Sequence, residues 1–147
     1  GHDVLVEDRR LSIKTETGQG TKVKQINITK LCTTEREPWT REVLITRVME
    51  HLARYDLMLM LRAVWEAPLI HYQLVDIPIR ILKLIRSADL EVVGRRRGRQ
   101  SLGADIYRGE QKLFHVHFDG SDGKCQIRNL SIEHCTMLVS WDLHVRE

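Results

Sequence analysis

A chain of 147 residues is long enough to bury a sizeable core and fits one domain. Its 23 Lys and Arg against 20 Asp and Glu leave a net charge of +3, a mild basic excess that permits a polyanionic partner without requiring one. No apolar run approaches the roughly eighteen residues of a membrane span and no signal-peptide pattern is present, so a soluble chain without a membrane partner is expected.

The three cysteines, Cys32, Cys125 and Cys135, are odd in number and lack a CxxC spacing, which favours reduced thiols in a cytosolic protein over a disulfide or zinc framework. The sequence begins at Gly1 without Met, and the expectation is a fragment whose upstream elements are missing, with Gly1-His2 as a tag remnant the other reading.

"DVLV" and "RLSIKTE" read as two strands around the polar Glu7-Asp8-Arg9. A turn centred between Asp8 and Arg9 sets Asp3 opposite Lys14, Leu5 opposite Ser12 and Glu7 opposite Arg10. Because side chains alternate along a strand, Asp3, Ser12, Lys14 and Glu16 then share one face, a cluster of two carboxylates, a hydroxyl and an ammonium. Val4, Val6, Leu11 and Ile13 take the other, expected to be the core face. Asp-Arg is not a favoured two-residue turn, and a slip of one residue separates the cluster.

"GQGTKVKQ" follows as a flexible basic loop holding Lys22 and Lys24, and "INITKLC" reads as a short strand running into a helical turn. Pro38 discourages helix at Glu37. From Thr40, a candidate N-cap, Val43, Leu44, Ile45, Val48 and Leu52 recur at helical spacing, and the helix should end near Tyr55. "DLMLMLRAVW" and "LIHYQLVDIP" read as strands joined at Glu66-Ala67-Pro68, and a second helix begins near Pro78, with Ile79, Leu82 and Ile85 on one side. Five further strands follow, and "FDGSDGKC", with two Asp-Gly steps, is the strongest hairpin signal in the chain. The order β-β-(β)-α-β-β-α-β-β-β-β-β describes an α+β domain with a mixed sheet and two helices.

Each chemical candidate has an ordinary reading beside it. Asp3, Lys14 and Glu16 alone describe a solvated strand face with a weak salt bridge. "GRRRGRQS", with Arg95, Arg96, Arg97 and Arg99, is a surface loop or a phosphate-contacting one. His115 and His117 alternate beside Asp119, yet two His without a convincing third ligand favour a surface role over a metal site. Arg128 stands where an Asp119…Gln126-x pattern would need Lys, and an arginine does not act as a base, so that hairpin is assigned to structure or DNA contact. Trp39, Trp65 and Trp141 read as core or interface residues, and Met58 and Met60 as core.

Together, "GHDVLV…LSIKT" resembles the catalytic hairpin of the PD-(D/E)xK nuclease superfamily. "LSIKTET", "YQLVDIP", "FHVHFDGSDGKCQIRNL" and "CTMLVSW", in that order, are similar to the C-terminal part of type II restriction endonucleases. The resemblance implies an α/β/α restriction-endonuclease-like fold, a mixed central sheet flanked by helices with additional C-terminal hairpins. It implies a sequence-specific endonuclease acting on double-stranded DNA as a homodimer in a prokaryotic cytoplasm. Ser12 departs from the pattern, since the second acid belongs there. Glu16, Glu35, Glu37 or a carboxylate from an upstream segment of the same protein are the substitutes.

Phosphodiester hydrolysis calls for a divalent cation, Mg²⁺ or in its place Mn²⁺, and such ions take carboxylate and backbone oxygens. Asp3, Glu16 and the Ile13 carbonyl are the expected ligands. Lys14 is the group expected to orient or deprotonate the attacking water or to stabilise the phosphate. Lys22, Lys24, Arg95, Arg96, Arg97, Arg99 and Arg128 are the expected DNA contacts. A noncatalytic nucleic-acid-binding or regulatory domain that retains the nuclease fold is the alternative.

Overall fold

In a computed structural model, the backbone is described for residues 2–34, 38–94 and 98–145, and side chains from residue 5 onward within those ranges. Two compact units emerge, each assembled from separated stretches of chain: residues 1–26, 55–79 and 131–147, and residues 27–54 and 80–130.

The first unit is a five-stranded mixed sheet of β1 (His2–Val6), β2 (Arg9–Glu16), β4 (Leu57–Glu66), β5 (Leu69–Ile77) and β10 (Thr136–His144), in the order β1-β2-β4-β5-β10. Parallel pairing of β2 with β4 sets Ser12 opposite Met58, Lys14 opposite Met60 and Glu16 opposite Arg62. The other pairs are antiparallel.

The opening hairpin turns one residue earlier than the Asp8-Arg9 centre expected from the sequence. Glu7 and Asp8 both have positive φ, 49° and 64°, the left-handed pair that a two-residue hairpin turn demands and that matches the twist of the flanking strands. Asp3 therefore pairs with Ser12, not Lys14. Because the pairing moves by an even number of residues, the parity of the register is unchanged.

The expected core face holds only in part. Leu11 is buried as expected, but Ser12 and Lys14 on the other face are buried too, 1% and 8% exposed, while Leu5 and Val6 of β1 are open to solvent. The reason lies in the neighbour: Met58, Met60 and Arg62 of β4 are all fully buried, and parallel pairing puts Ser12, Lys14 and Glu16 on their face.

β10 forms one edge of this sheet, and every residue from Thr136 to His144 is exposed. Trp141, expected in the core or at an interface, lies 41% exposed and stacks on Tyr72 with ring centroids 5.4 Å apart. Trp65 is likewise exposed and donates from Nε1 to the Thr17 carbonyl, satisfying its polar edge without burial.

The second unit holds a sheet in the order β3-β9-β8-β7-β6, comprising β3 (Gln25–Thr33), β6 (Glu91–Val92), β7 (Leu102–Arg108), β8 (Gln111–Phe118) and β9 (Lys124–Ser131). The stretch read as strand into helical turn is a nine-residue strand throughout, its buried Ile26 and Ile28 alternating as a strand requires.

Helix α1 (Arg41–Leu52) starts where Thr40 Oγ1 accepts from the Val43 amide, and it buries Leu44, Ile45, Val48 and Leu52. It packs against a single 3₁₀ stretch, Lys83–Ser87, that continues α2 (Ile79–Leu82), and Arg41 Nε donates to the Ala88 carbonyl across that junction. The Asp-Gly segment closes the β8–β9 hairpin as expected, with the Gly123 amide donating to the Asp119 carbonyl and the Asp119 carboxylate taking the Ser121 amide. The class is therefore α+β with a mixed sheet and two helices. Among the described residues, no helix is long and apolar enough to cross a membrane.

Candidate active site

The candidate residues gather along the second half of β2. Strand alternation and the neighbouring β4 give Ser12, Lys14 and Glu16 one common face. Backbone pairing puts Asp3 at the register position opposite Ser12, and Ile13 opposite both His2 and Leu59. The side chain of Asp3 lies outside the described set, as do Glu35 and Glu37 altogether.

Glu16 is not a loose surface carboxylate. Its Oε1 receives Arg62 Nε at 2.9 Å, with the Glu16 side chain 13% exposed and that of Arg62 fully buried. Arg62 spreads its remaining donors over Gln73 Oε1 at 2.8 Å, the Gln25 carbonyl at 2.9 Å and the Lys22 carbonyl. A buried guanidinium is tolerated only when its donors are met, and here both strands beside β4, the loop after β2 and the first residue of β3 supply acceptors. Among the described residues, Lys14 and Arg62 are the two buried cations of this sheet, on neighbouring strands two register positions apart.

Arg62 escaped the reading of the sequence, though a signal was there. In "DLMLMLRAVW" the alternation of Met58 and Met60 makes position 62 an inward one, and a charged residue at an inward position of a central strand asks for a buried partner. Gln73 was passed over in the same way.

Lys22 and Lys24 are exposed, as DNA contacts would need to be. Their backbone is anchored: the Lys22 carbonyl accepts from Arg62 and the Lys24 carbonyl from the Ile132 amide. In the second unit, Arg99 lies over the Trp39 ring at 4.1 Å and donates from Nε to the Gly120 carbonyl, while Trp39 Nε1 donates to the Gln100 carbonyl. Arg99 is thus built into the fold around the Asp-Gly turn. Arg128, exposed on β9, forks onto Gln126 Oε1. Arg95, Arg96 and Arg97 lie outside the described residues.

Of the histidine pair of β8, His115 sits in a local network. His115 Nδ1 is 2.9 Å from Asp105 Oδ1, and Lys112 reaches the same oxygen at 3.2 Å. The hydrogen bond from His115, aided by Lys112, holds the Asp105 carboxyl below its usual range. The His115 ring lies across Gly103, where a Cβ would approach Nε2 to 2.8 Å, so that strand position needs glycine. Asp119 is engaged by its own turn.

The three cysteines form no disulfide. Burial pushes the Cys135 thiol up to about 11, with the Asp76 carboxylate adding to the effect.

Among the described residues, no group of three His, Cys, Asp or Glu side chains stands ready to hold a metal ion. The donors that β2 offers are oxygens, the Glu16 carboxylate and the Ile13 carbonyl, with Asp3 at the paired register position. Such a hard set suits Mg²⁺ in kind.

A mixed sheet carrying a buried lysine and an anchored carboxylate two residues apart, with a basic loop leaving the same strand, is a construction fitted to the class of phosphodiester-cleaving nucleases. The comparisons give the family. A family model described as SmaI, type II site-specific deoxyribonuclease, matches residues 1–143, and the chain belongs to that family. It is 30% identical over 146 residues to the type II restriction enzyme SmaI of Serratia marcescens, an alignment covering 97% of this chain and 59% of the relative. The chain therefore spans somewhat under two thirds of that relative's length. No solved structure matches the chain.

Proposed function

We propose that this chain carries the catalytic part of a metal-dependent, sequence-specific DNA endonuclease of the PD-(D/E)xK type, hydrolysing phosphodiester bonds in double-stranded DNA. The observation that carries the reading is the family match along residues 1–143, which takes in the whole of the β1–β2 hairpin. The site reading is supported by Ser12 and Lys14 sharing a buried face of β2, with Asp3 at the register position opposite Ser12, two residues from Lys14 and four from Glu16.

In this mechanism Asp3 and the Ile13 carbonyl, beside each other in the β1–β2 register, would hold Mg²⁺, or Mn²⁺ in its place, while Glu16, four residues along from the partner of Asp3, keeps its bond to Arg62. When bound, the cation makes a coordinated water more acidic and neutralises charge building on the phosphate. Lys14 Nζ orients the attacking water, whose oxygen bonds to phosphorus as one P–O ester bond breaks. The water's proton passes to solvent, the leaving ester oxygen takes one from solvent to depart as a hydroxyl, and Lys14 stabilises the negative charge of the five-coordinate phosphate. Burial of Lys14 strengthens that interaction, because little water competes for the ammonium. Lys22, Lys24 and the Arg95 to Arg97 run meet phosphates, Arg99 and Arg128 add contacts from the second unit, and Glu35 is a further acid candidate. The working enzyme is a homodimer in a prokaryotic cytoplasm, so that two sites cut two strands of a palindrome. An upstream segment of the protein supplies any carboxylate still wanting.

Ser12 favours a second reading, a DNA-binding domain that has kept the fold and lost the chemistry. Incubating the full-length protein with plasmid DNA in Mg²⁺ and in EDTA separates the two. Discrete fragments in Mg²⁺ alone support the nuclease. Salt-sensitive binding with no cleavage, on substrates covering all short palindromes, supports the alternative and sinks the enzyme.

A further inference from the structure

We propose that the basic segment after β2, residues 17–25, is a preset arm for the phosphates of duplex DNA, with Arg62 and Trp65 as its positioning residues; this rests on the nuclease reading above for its ligand and involves no metal. From sequence the segment reads as a flexible loop, and the structure ties it down instead. Arg62 Nη2 donates to the Lys22 and Gln25 carbonyls, the second at 2.9 Å, so one guanidinium grips the chain on both sides of Val23 and Lys24. Trp65 Nε1 donates to the Thr17 carbonyl at 3.0 Å, and the Ile132 amide donates to the Lys24 carbonyl at 2.9 Å. Thr21 closes back on the Gly18 carbonyl through both its amide and its hydroxyl.

Lys22, Val23 and Lys24 are exposed nonetheless. Among the described residues, neither ammonium is drawn into an ion pair. The groups taken up inside are carbonyl oxygens, which would repel a phosphate, and the groups left outside are cations, which attract one. Packing alone does not call for Arg62, since an apolar side chain of similar bulk would fill a fully buried place at less desolvation cost. Its Nε and Nη1 are held by Glu16 Oε1 at 2.9 Å and Gln73 Oε1 at 2.8 Å, from the strands on either side, which fixes the plane of the fork that reaches the arm. Buried as it is, Arg62 cannot touch DNA, and what it transmits is the placement of Lys22 and Lys24. A segment already ordered before DNA arrives is spared the ordering cost of association.

The test is a titration of the full-length protein without metal, read by the fluorescence anisotropy of a labelled duplex of arbitrary sequence over a series of salt concentrations. Lys22→Ala/Lys24→Ala should lower the slope of log affinity against log salt by about 0.9 for each phosphate no longer met. Arg62→Lys keeps a cation beside Glu16 and gives up the fork. It should weaken binding about tenfold, as follows when the arm is correctly set about one-tenth of the time. In the Lys22→Ala/Lys24→Ala background the same change should alter affinity by less than about twofold, because no cation on the arm is left to place. A general loosening of the sheet would instead weaken binding alike in both backgrounds.

An unchanged salt slope in Lys22→Ala/Lys24→Ala overturns the proposal, as does a folded Arg62→Lys variant that binds like the wild type or loses equally in both backgrounds. Trp65→Phe covers the case in which Arg62→Lys does not fold, because the indole is exposed and the change removes its donor to Thr17. A severalfold loss confined to the protein that retains both lysines supports the proposal, and wild-type affinity overturns it. Failure of the wild type to cut DNA would fall on the nuclease reading, while this metal-free titration still reports on the arm.

Discussion

Replacing Lys14 separates chemistry from packing, because the residue does both. Its side chain is 8% exposed and pairs across the ladder with the fully buried Met60, so its methylenes are core atoms. Truncation to alanine removes three methylenes beyond Cβ at about 0.8 kcal/mol each, a loss of about 2.4 kcal/mol before any collapse of the cavity. Lys14→Met keeps a straight chain of similar volume, and such swaps cost under about 1.5 kcal/mol.

Stability therefore falls further in Lys14→Ala than in Lys14→Met, as urea unfolding would measure. Cleavage should fall in both. If Lys14 acts on the attacking water or on the phosphate, the loss is about 10²- to 10⁴-fold in the single-turnover rate on supercoiled plasmid in Mg²⁺. DNA affinity, from gel shifts without metal, should stay near wild type, since an interaction made chiefly in the transition state lowers the rate and not the binding. A Lys14→Met enzyme that cuts within tenfold of wild type would refute the catalytic role and reduce Lys14 to a packing residue.

Substituting Arg95, Arg96 and Arg97 together by Ala should lower the slope of log affinity against log salt by about 0.9 for each phosphate no longer neutralised, nearly equally for all DNA sequences; an unchanged slope makes the run ordinary surface. Gly103→Ala forces a methyl against the His115 ring and should cost about 1–3 kcal/mol in urea unfolding, whereas a neutral result would mean the ring swings aside freely. His71 lies between Asp142 and Glu66, at 2.6 and 2.9 Å, and its hydrogen bond to Asp142 is the main cause that raises its pKa above the ordinary 6.5. The folded state thus holds that proton more tightly, so the stabilisation is fully present below pH 6.5 and is lost as the pH climbs through the raised value. Unfolding of His71→Gln should lack this fall, and parallel pH profiles for the two proteins would contradict it.

The order of elements was legible because periodicity and turn chemistry are local. Thr40 caps its helix, the Asp-Gly hairpin closes, and Met58 and Met60 are core, all from patterns within a few residues. The side of β2 that faces inward was not, since alternation gives parity and is silent on which parity is buried. Only the pairing with β4, distant in sequence, decides that Ser12 and Lys14 go inside. The Glu7-Asp8 turn misled for a different reason: neither residue is the Gly or Asn usual at positive φ, and the flanking strands impose the conformation. Arg62 was hidden by its type, as arginine in a strand reads as surface until its register is known. The tryptophans were judged by size, and Trp65 shows how one indole hydrogen bond lets a large ring stay outside.

The β5–β10 ladder joins residues 69–77 to residues 136–144. During synthesis the first four strands of the mixed sheet are complete long before β10 leaves the ribosome, and most of the second unit is made in the interval. Until then β5 stands as a bare edge, with the hydrogen-bonding row that β10 later covers open to any other strand. Within the described sheet β10 is the strand made latest, and it takes the edge position over from β5, so slowing translation across the codons of β7 to β9 prolongs the exposure of β5 and should lower the soluble yield.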